Sequence, residues 1–334
     1  MLNTVPDLSL NSGVVHVVVG VIERSSISNS FVLPSSKEIL ISKRAKDVHQ
    51  GGLWEFPGGK VEANESAPQA LSRELFEELG ITVSSNNITP LIQIEHDYGD
   101  KKVFLDVYTV YEFQGGASGK EGQPIKWVNE RELLQYSFPE ANRPILSACR
   151  LPKEYIITPE YLNAEQALKG VDRLLKNSAH LFLFRQPGMS AGNYQNCISE
   201  ILDRDPSASD RLMLSGGTDV LNNQCAAGIH MPFRYAEDLK GRPVQKSKWF
   251  GVSCHNSYEI ERAEALGADF ITLSPVLPTA THPEASPLGW EVFQRLVQQA
   301  NIPVYALGGM MKEYQQAALR IGAQGVAGIR LFCD

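Results

Sequence analysis

The hydrophobic pattern of the chain changes rhythm near residue 151. Before that point, short apolar runs rich in β-branched residues alternate with turns, and one long helical stretch interrupts them. Residues 15–22 (VHVVVGVI) read as a strand, and 38–42 (EILIS) read as another after a turn rich in Ser and Pro. Residues 104–111 and 126–128 supply two more. Between them, residues 66–79 carry a helix signal: Ser66 at the N-cap, Gln69 three residues on, Pro68 in the first turn and Gly80 just past the end. Leu71, Leu75 and Leu79 recur every four residues and give this helix an apolar stripe that can pack on a sheet. A further helix is expected over residues 142–150.

Residues 151–153 (Leu-Pro-Lys) read as a linker, and beyond them strands and helices alternate. Apolar runs fall at 155–158, 181–184, 211–214, 227–230, 249–253, 270–273, 304–307 and 325–329. Alternating strands and helices make a parallel sheet, and eight such units predict a closed (βα)8 barrel with trimmed loops. An open doubly wound sheet is the alternative. The expected division is therefore residues 1–150 and residues 154–334.

Composition agrees with two ordinary folded domains: 334 residues, 43% hydrophobic and 21% charged, which excludes disorder and coiled coil. No run approaches the ~18 apolar residues that cross a bilayer, so no membrane partner is expected. The opening residues lack a basic patch followed by an apolar stretch, so a cytoplasmic protein without signal peptide is expected. Five scattered cysteines without a CxxC pair argue against a disulfide framework and against structural zinc. A net charge of −7 and the lack of a basic stripe argue against direct nucleic-acid binding. A phosphorylated small molecule remains compatible, because bound metal ions reverse the local field.

The most informative chemistry lies on the first helix. Glu74, Glu77 and Glu78 stand at i, i+3 and i+4, so they share one face and repel one another. A solvated acidic face is the ordinary reading of such a cluster. Hard divalent cations offset the repulsion, because clustered carboxylates hold Mg²⁺ where it also bridges phosphates.

The surrounding residues favour the metal. Gly59, Glu65 and the run Arg-Glu-Leu-x-Glu-Glu-x-Gly-Ile at 73–81 resemble the Nudix box at every defined position. The approach LWEFPGGK at 53–60, the loop GKEGQP at 119–124 and the segment SFPEAN at 137–142 are similar to the MutT-type Nudix hydrolases over nearly all of residues 13–150. That resemblance implies an α+β Nudix fold, a mixed sheet carrying the box helix, and Mg²⁺-dependent (or Mn²⁺-supported) hydrolysis of 8-oxo-dGTP to the monophosphate and pyrophosphate. It further implies metal ligation by the Gly58 carbonyl, Glu74, Glu77, Glu78 and Glu121, with Arg73 orienting the glutamates and Glu77 or Glu121 as general base. For the nucleotide it implies Arg44, His49, Glu55, Phe56, Pro57, Gly58, Asp100 and Asn142. Asn142 carries both a donor and an acceptor, as reading a purine edge requires; a helix cap is its plainer role. Two rival expectations keep the resemblance but change the activity: another nucleoside triphosphate or a thiamine-related diphosphate as substrate, or a nucleotide-binding sensor without turnover.

The second half resembles the thiamine-phosphate synthase and TenI group of small barrels, through GVSCH at 251–255, LSPVLPTAT at 273–281, PLG at 287–289 and ALGGM at 306–310. Arg185, His255, Thr279, Thr281, Gly308 and Gly309 are the ligand residues this implies, the last two as a phosphate cradle for a thiazole phosphate-like ligand. The chain departs from the synthases at their metal-binding positions: Gly216 and Tyr235 replace acids, Pro187 replaces a lysine and His282 replaces another. Asp219, Glu237 or Asp238 would have to substitute. A metal-free role, with His255 as acid or base, or a ligand-sensing or structural barrel, is the expectation that follows.

Overall fold

The computed structural model describes residues 13–25, 37–47, 50–177, 181–217, 220, 225–279 and 283–332. The chain divides into two compact units, Met1–Arg150 and Leu151–Asp334.

The first unit contains β1 (Val14–Ser25), β2 (Lys37–Lys43), β3 (Trp54–Glu55), β4 (Gly58–Lys60), α1 (Ala67–Leu79), β5 (Ile88–Asp97), β6 (Lys102–Val110), β7 (Ile125–Asn129) and α2 (Arg143–Arg150). Its seven-stranded sheet runs β3-β2-β1-β6-β5, with β4 on β1 and β7 on β2. The sheet is mixed, since β1 and β6 pair in parallel while the remaining pairs are antiparallel. Alternation along β1 and β6 sends side chains to two cores. Val18, Ile22, Tyr108 and Val110 meet the α1 stripe of Leu71, Leu75 and Leu79. Val19, Val21, Val103, Leu105 and Val107 meet Ile145 and Leu146 of α2. Helix α1 begins with the expected capping box between Ser66 and Gln69 and ends at Gly80 in the left-handed conformation.

The second unit is a closed barrel of eight parallel strands: β8 (Glu154–Ile157), β9 (Phe182–Phe184), β10 (Leu212–Ser215), β11 (Gly228–Pro232), β12 (Trp249–Cys254), β13 (Phe270–Leu273), β14 (Val304–Ala306) and β15 (Gly325–Gly328). Pairing of β15 with β8 completes the ring and excludes the open sheet. Around it run α3 (Ala164–Asn177), α4 (Ala191–Arg204), α5 (Phe233–Ala236), α6 (Ser257–Ala265), α7 (Gly289–Gln299) and α8 (Gln315–Arg320). Two apolar layers result. Phe182, Phe184, Phe250 and Val252 face the helices, while Tyr155, Leu183, Met213, Phe270 and Tyr305 fill the interior.

Residues 151–153, expected as a spacer, have a different role. Leu151 is buried in the interior aromatic cluster. Its carbonyl accepts from Gln324 Nε2 (2.9 Å), the Pro152 carbonyl accepts from the Tyr305 hydroxyl (2.6 Å), and the Lys153 carbonyl accepts from the Val326 amide (3.1 Å). Buried donors at the closed end of the barrel need acceptors, and this segment provides them. Among the described residues, no helix is long and apolar enough to cross a membrane.

Candidate active site

Helix α1 presents its acidic face beside the β4 turn. Gly59 makes this approach feasible: a Cβ there would lie 2.2 Å from the Glu74 carboxyl carbon. Arg73 organises the cluster from the same helix. It donates to both Glu65 oxygens (2.6 and 3.2 Å), Glu74 Oε1 (2.8 Å), Glu77 Oε2 (3.2 Å) and the Lys60 carbonyl (3.0 Å). The guanidinium therefore orients carboxylates, and it holds the Glu65 carboxyl below its ordinary range. In return, its hydrogen bonds to the Glu65 and Glu74 carboxylates raise the Arg73 pKa further.

Glu78 points the other way, accepting a hydrogen bond from the Gly58 amide (3.2 Å). Burial pushes its pKa up to about 8 against that bond, and nearby Glu55, Glu121 and Glu74 push in the same direction. The loop carrying Glu121 is docked on the end of α1. The Ser118 and Lys120 amides donate to the last carbonyls of the helix (3.0 and 2.8 Å), and Gln123 bridges the Glu78 carbonyl and the Glu121 amide. Those carbonyls lack intrahelical partners, so the loop satisfies the helix end while carrying Glu121 toward Glu78. Glu77 and Glu121 are exposed.

Four carboxylates thus crowd one another, and burial together with mutual repulsion keeps Glu78 protonated toward neutral pH. This donor set, all oxygen and in excess of its cations, fits a hard divalent ion. Among the described residues, no three potential ligands converge on one point in this conformation, because Arg73 holds Glu74 and Glu77 and the Gly58 amide holds Glu78.

The segment between β3 and β4 that leads to this cluster is aromatic. Phe56 is buried and stacked on Phe138, with ring centres 5.3 Å apart. Arg44 Nη1 donates to Glu55 Oε2, so these two expected nucleotide contacts are partners of each other. Burial raises the Glu55 pKa, partly offset by Arg44. Pro57 accepts the Gly20 amide (2.8 Å) and ties the β4 turn to β1. Asn142 is buried, its backbone amide donates to the Pro139 carbonyl (3.0 Å), and its side chain has no hydrogen bond to a described residue. No side-chain capping bond accompanies the turn that contains it. Its side-chain amide is therefore unspent. Asp100 is exposed in the β5–β6 turn. Tyr98 of the same turn was not singled out by sequence. It is hydrogen-bonded to the Ala141 backbone and lies close to Arg44 and Glu140. Its aromatic character and its place two residues before Asp100 were the available signal. His49 lies outside the described residues.

At the carboxyl ends of the barrel strands, Arg185 donates its backbone amide to Thr158 Oγ1 (3.0 Å). His255 is half exposed, and its Nδ1 lies 2.8 Å from Glu259 Oε2, which also accepts the His255 amide. Glu259 was missed by sequence, although it stands four residues beyond His255 in the first turn of α6. Thr279 is half-buried. Gly308 and Gly309 adopt positive φ of 92° and 68° against Pro275 and Leu277, and their amides make no hydrogen bond with a described residue. Thr281, His282 and Asp219 lie outside the described residues.

A mixed sheet carrying a carboxylate-lined helix, joined to a closed parallel barrel, defines a hydrolase of the Nudix class fused to a small (βα)8 domain. Residues 30–148 match the NUDIX domain family and residues 154–332 match the thiamine monophosphate synthase family, and the chain belongs to both. The first unit is similar to the 8-oxo-dGTP diphosphatase of Escherichia coli, 35% identical over 37% of this chain and 95% of that protein. It is also similar to the CTP pyrophosphohydrolase of the same organism, 37% identical over 40% and 90%. The second unit is similar to a putative thiamine-phosphate synthase 2 of Aquifex aeolicus, 30% identical over 55% of this chain and 99% of that protein.

Proposed function

We propose that the first unit hydrolyses 8-oxo-dGTP to the monophosphate and pyrophosphate with Mg²⁺, clearing an oxidised purine from the nucleotide pool and so limiting mutation. The observation that carries hydrolysis is the half-buried Glu78 carboxyl crowded by Glu74, Glu55 and Glu121. The Gly58 carbonyl, Glu74, Glu77, Glu78 and Glu121 would hold Mg²⁺, or Mn²⁺ in its place. When bound, the ion neutralises phosphate charge and makes water acidic enough to attack phosphorus. Arg73 holds the carboxylates in place, and Glu77 or Glu121, the exposed pair, takes the proton from water. Phe56 and Phe138 wall the base pocket, where the unspent Asn142 amide offers a donor and an acceptor to the purine edge.

Similarity to a CTP pyrophosphohydrolase keeps a pyrimidine triphosphate as the second reading. Steady-state turnover of 8-oxo-dGTP, the canonical nucleotides and thiamine diphosphates with Mg²⁺ separates the two. The proposal requires 8-oxo-dGTP to have the highest kcat/KM. A higher value for CTP would replace it, and binding without turnover would make the unit a sensor.

For the barrel we propose a metal-free role on a thiazole phosphate-like ligand, with His255 as acid or base. The Glu259 carboxylate fixes the His255 Nδ1 edge and leaves Nε2 for a ligand. The Gly308-Gly309 turn would receive phosphate on its amides.

A further inference from the structure

The loop that carries Glu121 contains a side chain that the roles above do not use. Residues 115–124 form neither strand nor helix, and Glu121, Gly122 and Pro124 are exposed there. Gln123 among them is half-buried and turned toward α1. Its Nε2 donates to the Glu78 carbonyl (3.0 Å), and its Oε1 accepts from the Glu121 amide (2.9 Å). Both partners are backbone groups of fixed polarity, so the orientation of the carboxamide is set by chemistry. The turn leaves room for it. A Cβ on Gly119 would run into the Gln123 carbonyl and stand 2.9 Å from Gln123 Oε1. Gly122, at a φ of 81°, returns its amide to the Gly119 carbonyl (3.3 Å).

The two ends of this bridge differ in freedom. Helix α1 is seated by the fully buried Leu71, Leu75 and Leu79, and the Glu78 carbonyl also accepts the Lys120 amide (2.8 Å), so that end is a fixed point. The Glu121 carboxylate is exposed and repelled by Glu78 and Glu55. Other backbone bonds hold the loop on either side of it: the Ser118 and Lys120 amides reach α1, and the Pro124 carbonyl accepts the Lys43 amide (2.9 Å). Among the described residues, the Gln123 carboxamide is the group that holds Glu121 itself.

We infer that Gln123 is a positioning residue for the metal site: one carboxamide sets the separation of the Glu78 and Glu121 backbones and so presents the Glu121 carboxylate to the cation that the α1 carboxylates hold. The inference rests on the proposed reading of the acidic face as a metal site. Affinity for a divalent ion then depends on a side chain whose donor and acceptor are both spent on the protein. The residue type matters for that reason. Glutamate would keep an acceptor for the Glu121 amide but turn an oxygen on the Glu78 carbonyl, and methionine would keep the length while losing both bonds.

Titration of the full-length protein with Mn²⁺ alone, the free ion read by electron paramagnetic resonance, tests this without substrate. Gln123→Met should weaken binding about fivefold, the scale of one ordinary hydrogen bond. Gly119→Ala should weaken it comparably, because the added methyl displaces the carboxamide. A double-mutant comparison separates positioning from general stabilisation. In a Glu121→Gln background, Gln123→Met should weaken binding no further, whereas a merely structural role would add its full cost. In the metal-free protein, hydrogen exchange at the Glu121 amide should accelerate in Gln123→Met while the amides of α1 keep their protection. Wild-type Mn²⁺ affinity in both variants, an undiminished loss in the Glu121→Gln background, or unchanged exchange at Glu121 would overturn the inference and leave the metal reading standing. A wild-type protein that binds no Mn²⁺ would remove the metal reading, and the inference with it.

Discussion

The two units treat ionisable groups in opposite ways. The Nudix unit concentrates charge, placing three glutamates on one turn-and-a-half of α1 beside Glu55 and Glu121, with Arg73 as organiser. The barrel removes charge from its centre, where a neutral histidine, two hydroxyls and a phenol occupy the end of an apolar interior. One arrangement stores repulsion that a cation relieves. The other holds a neutral histidine, His230, by burial among hydroxyl groups. Chemistry at a polyphosphate is suited to the first, and the second keeps the centre of the barrel without charge.

Four experiments press on this contrast. The largest effect is expected from Glu78→Gln, which should lower kcat/KM for 8-oxo-dGTP with Mg²⁺ by about 10²–10³, the scale of one preorganised electrostatic contact. The melting temperature should hold, since the metal-free carboxyl is already protonated toward neutral pH and glutamine nearly matches its shape. Near-normal turnover would detach the acidic face from metal binding.

The barrel should fail at the opposite kind of reaction. The full chain, given both thiamine precursors and Mg²⁺, should form thiamine phosphate at least about 10²-fold more slowly than a chain with the acids and lysine that Gly216, Tyr235 and Pro187 replace, because the departing pyrophosphate lacks countercharge. Robust condensation would show that Asp219 or Asp238 supplies the metal site.

Asn142→Ala comes next. Discrimination between 8-oxo-dGTP and dGTP should shrink by roughly 1–3 kcal/mol, read as a ratio of kcat/KM values. Equal losses on both substrates with a lower melting temperature would return Asn142 to a capping role.

The last experiment concerns pH and reads stability rather than turnover. His230 has a folded-state pKa near 3 against 6.5 for the free side chain. The unfolded chain thus gains a proton below pH 6.5 that the folded barrel refuses. The stability is complete above 6.5 and is lost as pH falls toward 3, by up to about 1.4 kcal/mol per pH unit. Burial raises the Glu264 pKa, which acts in the other direction, so the measurement is the difference in acid unfolding between wild type and His230→Gln. Parallel profiles would mean that the ring takes up its proton in the folded state.

The same contrast explains what the sequence disclosed. The Nudix glutamates, Gly59 and Arg73 lie within one motif, and helical periodicity alone puts Glu74, Glu77 and Glu78 on one face. The eight strands were legible because a parallel barrel writes each strand as a separate apolar run. Tyr155, His230 and Ser253 stayed hidden, since 75 and 23 residues separate the members of each contact and only barrel closure brings them together. The pairing of Arg44 with Glu55 was likewise invisible: each was expected to meet the nucleotide, and the antiparallel register of β2 and β3, which sets Glu55 opposite Ser42, makes them diagonal neighbours. Residues 151–153 misled because a Pro beside a Lys looks like a tether, while the need of Tyr305 and Gln324 for acceptors is written 153 and 173 residues downstream.

That short segment also dictates where the gene can be cut. Helix α2 ends at Arg150, and Leu151 already belongs to the barrel interior, so the two folded bodies are joined by a single peptide bond. A truncation beginning at residue 154 strips acceptors from Tyr305 and Gln324 and leaves a hole where Leu151 stood. Each lost hydrogen bond costs about 0.5–1.5 kcal/mol, a sizeable share of the roughly 5–15 kcal/mol that keeps a domain folded. Excision, tagging or transplantation of the barrel therefore has to begin at Leu151, and a flexible insert tolerates only the junction between residues 150 and 151.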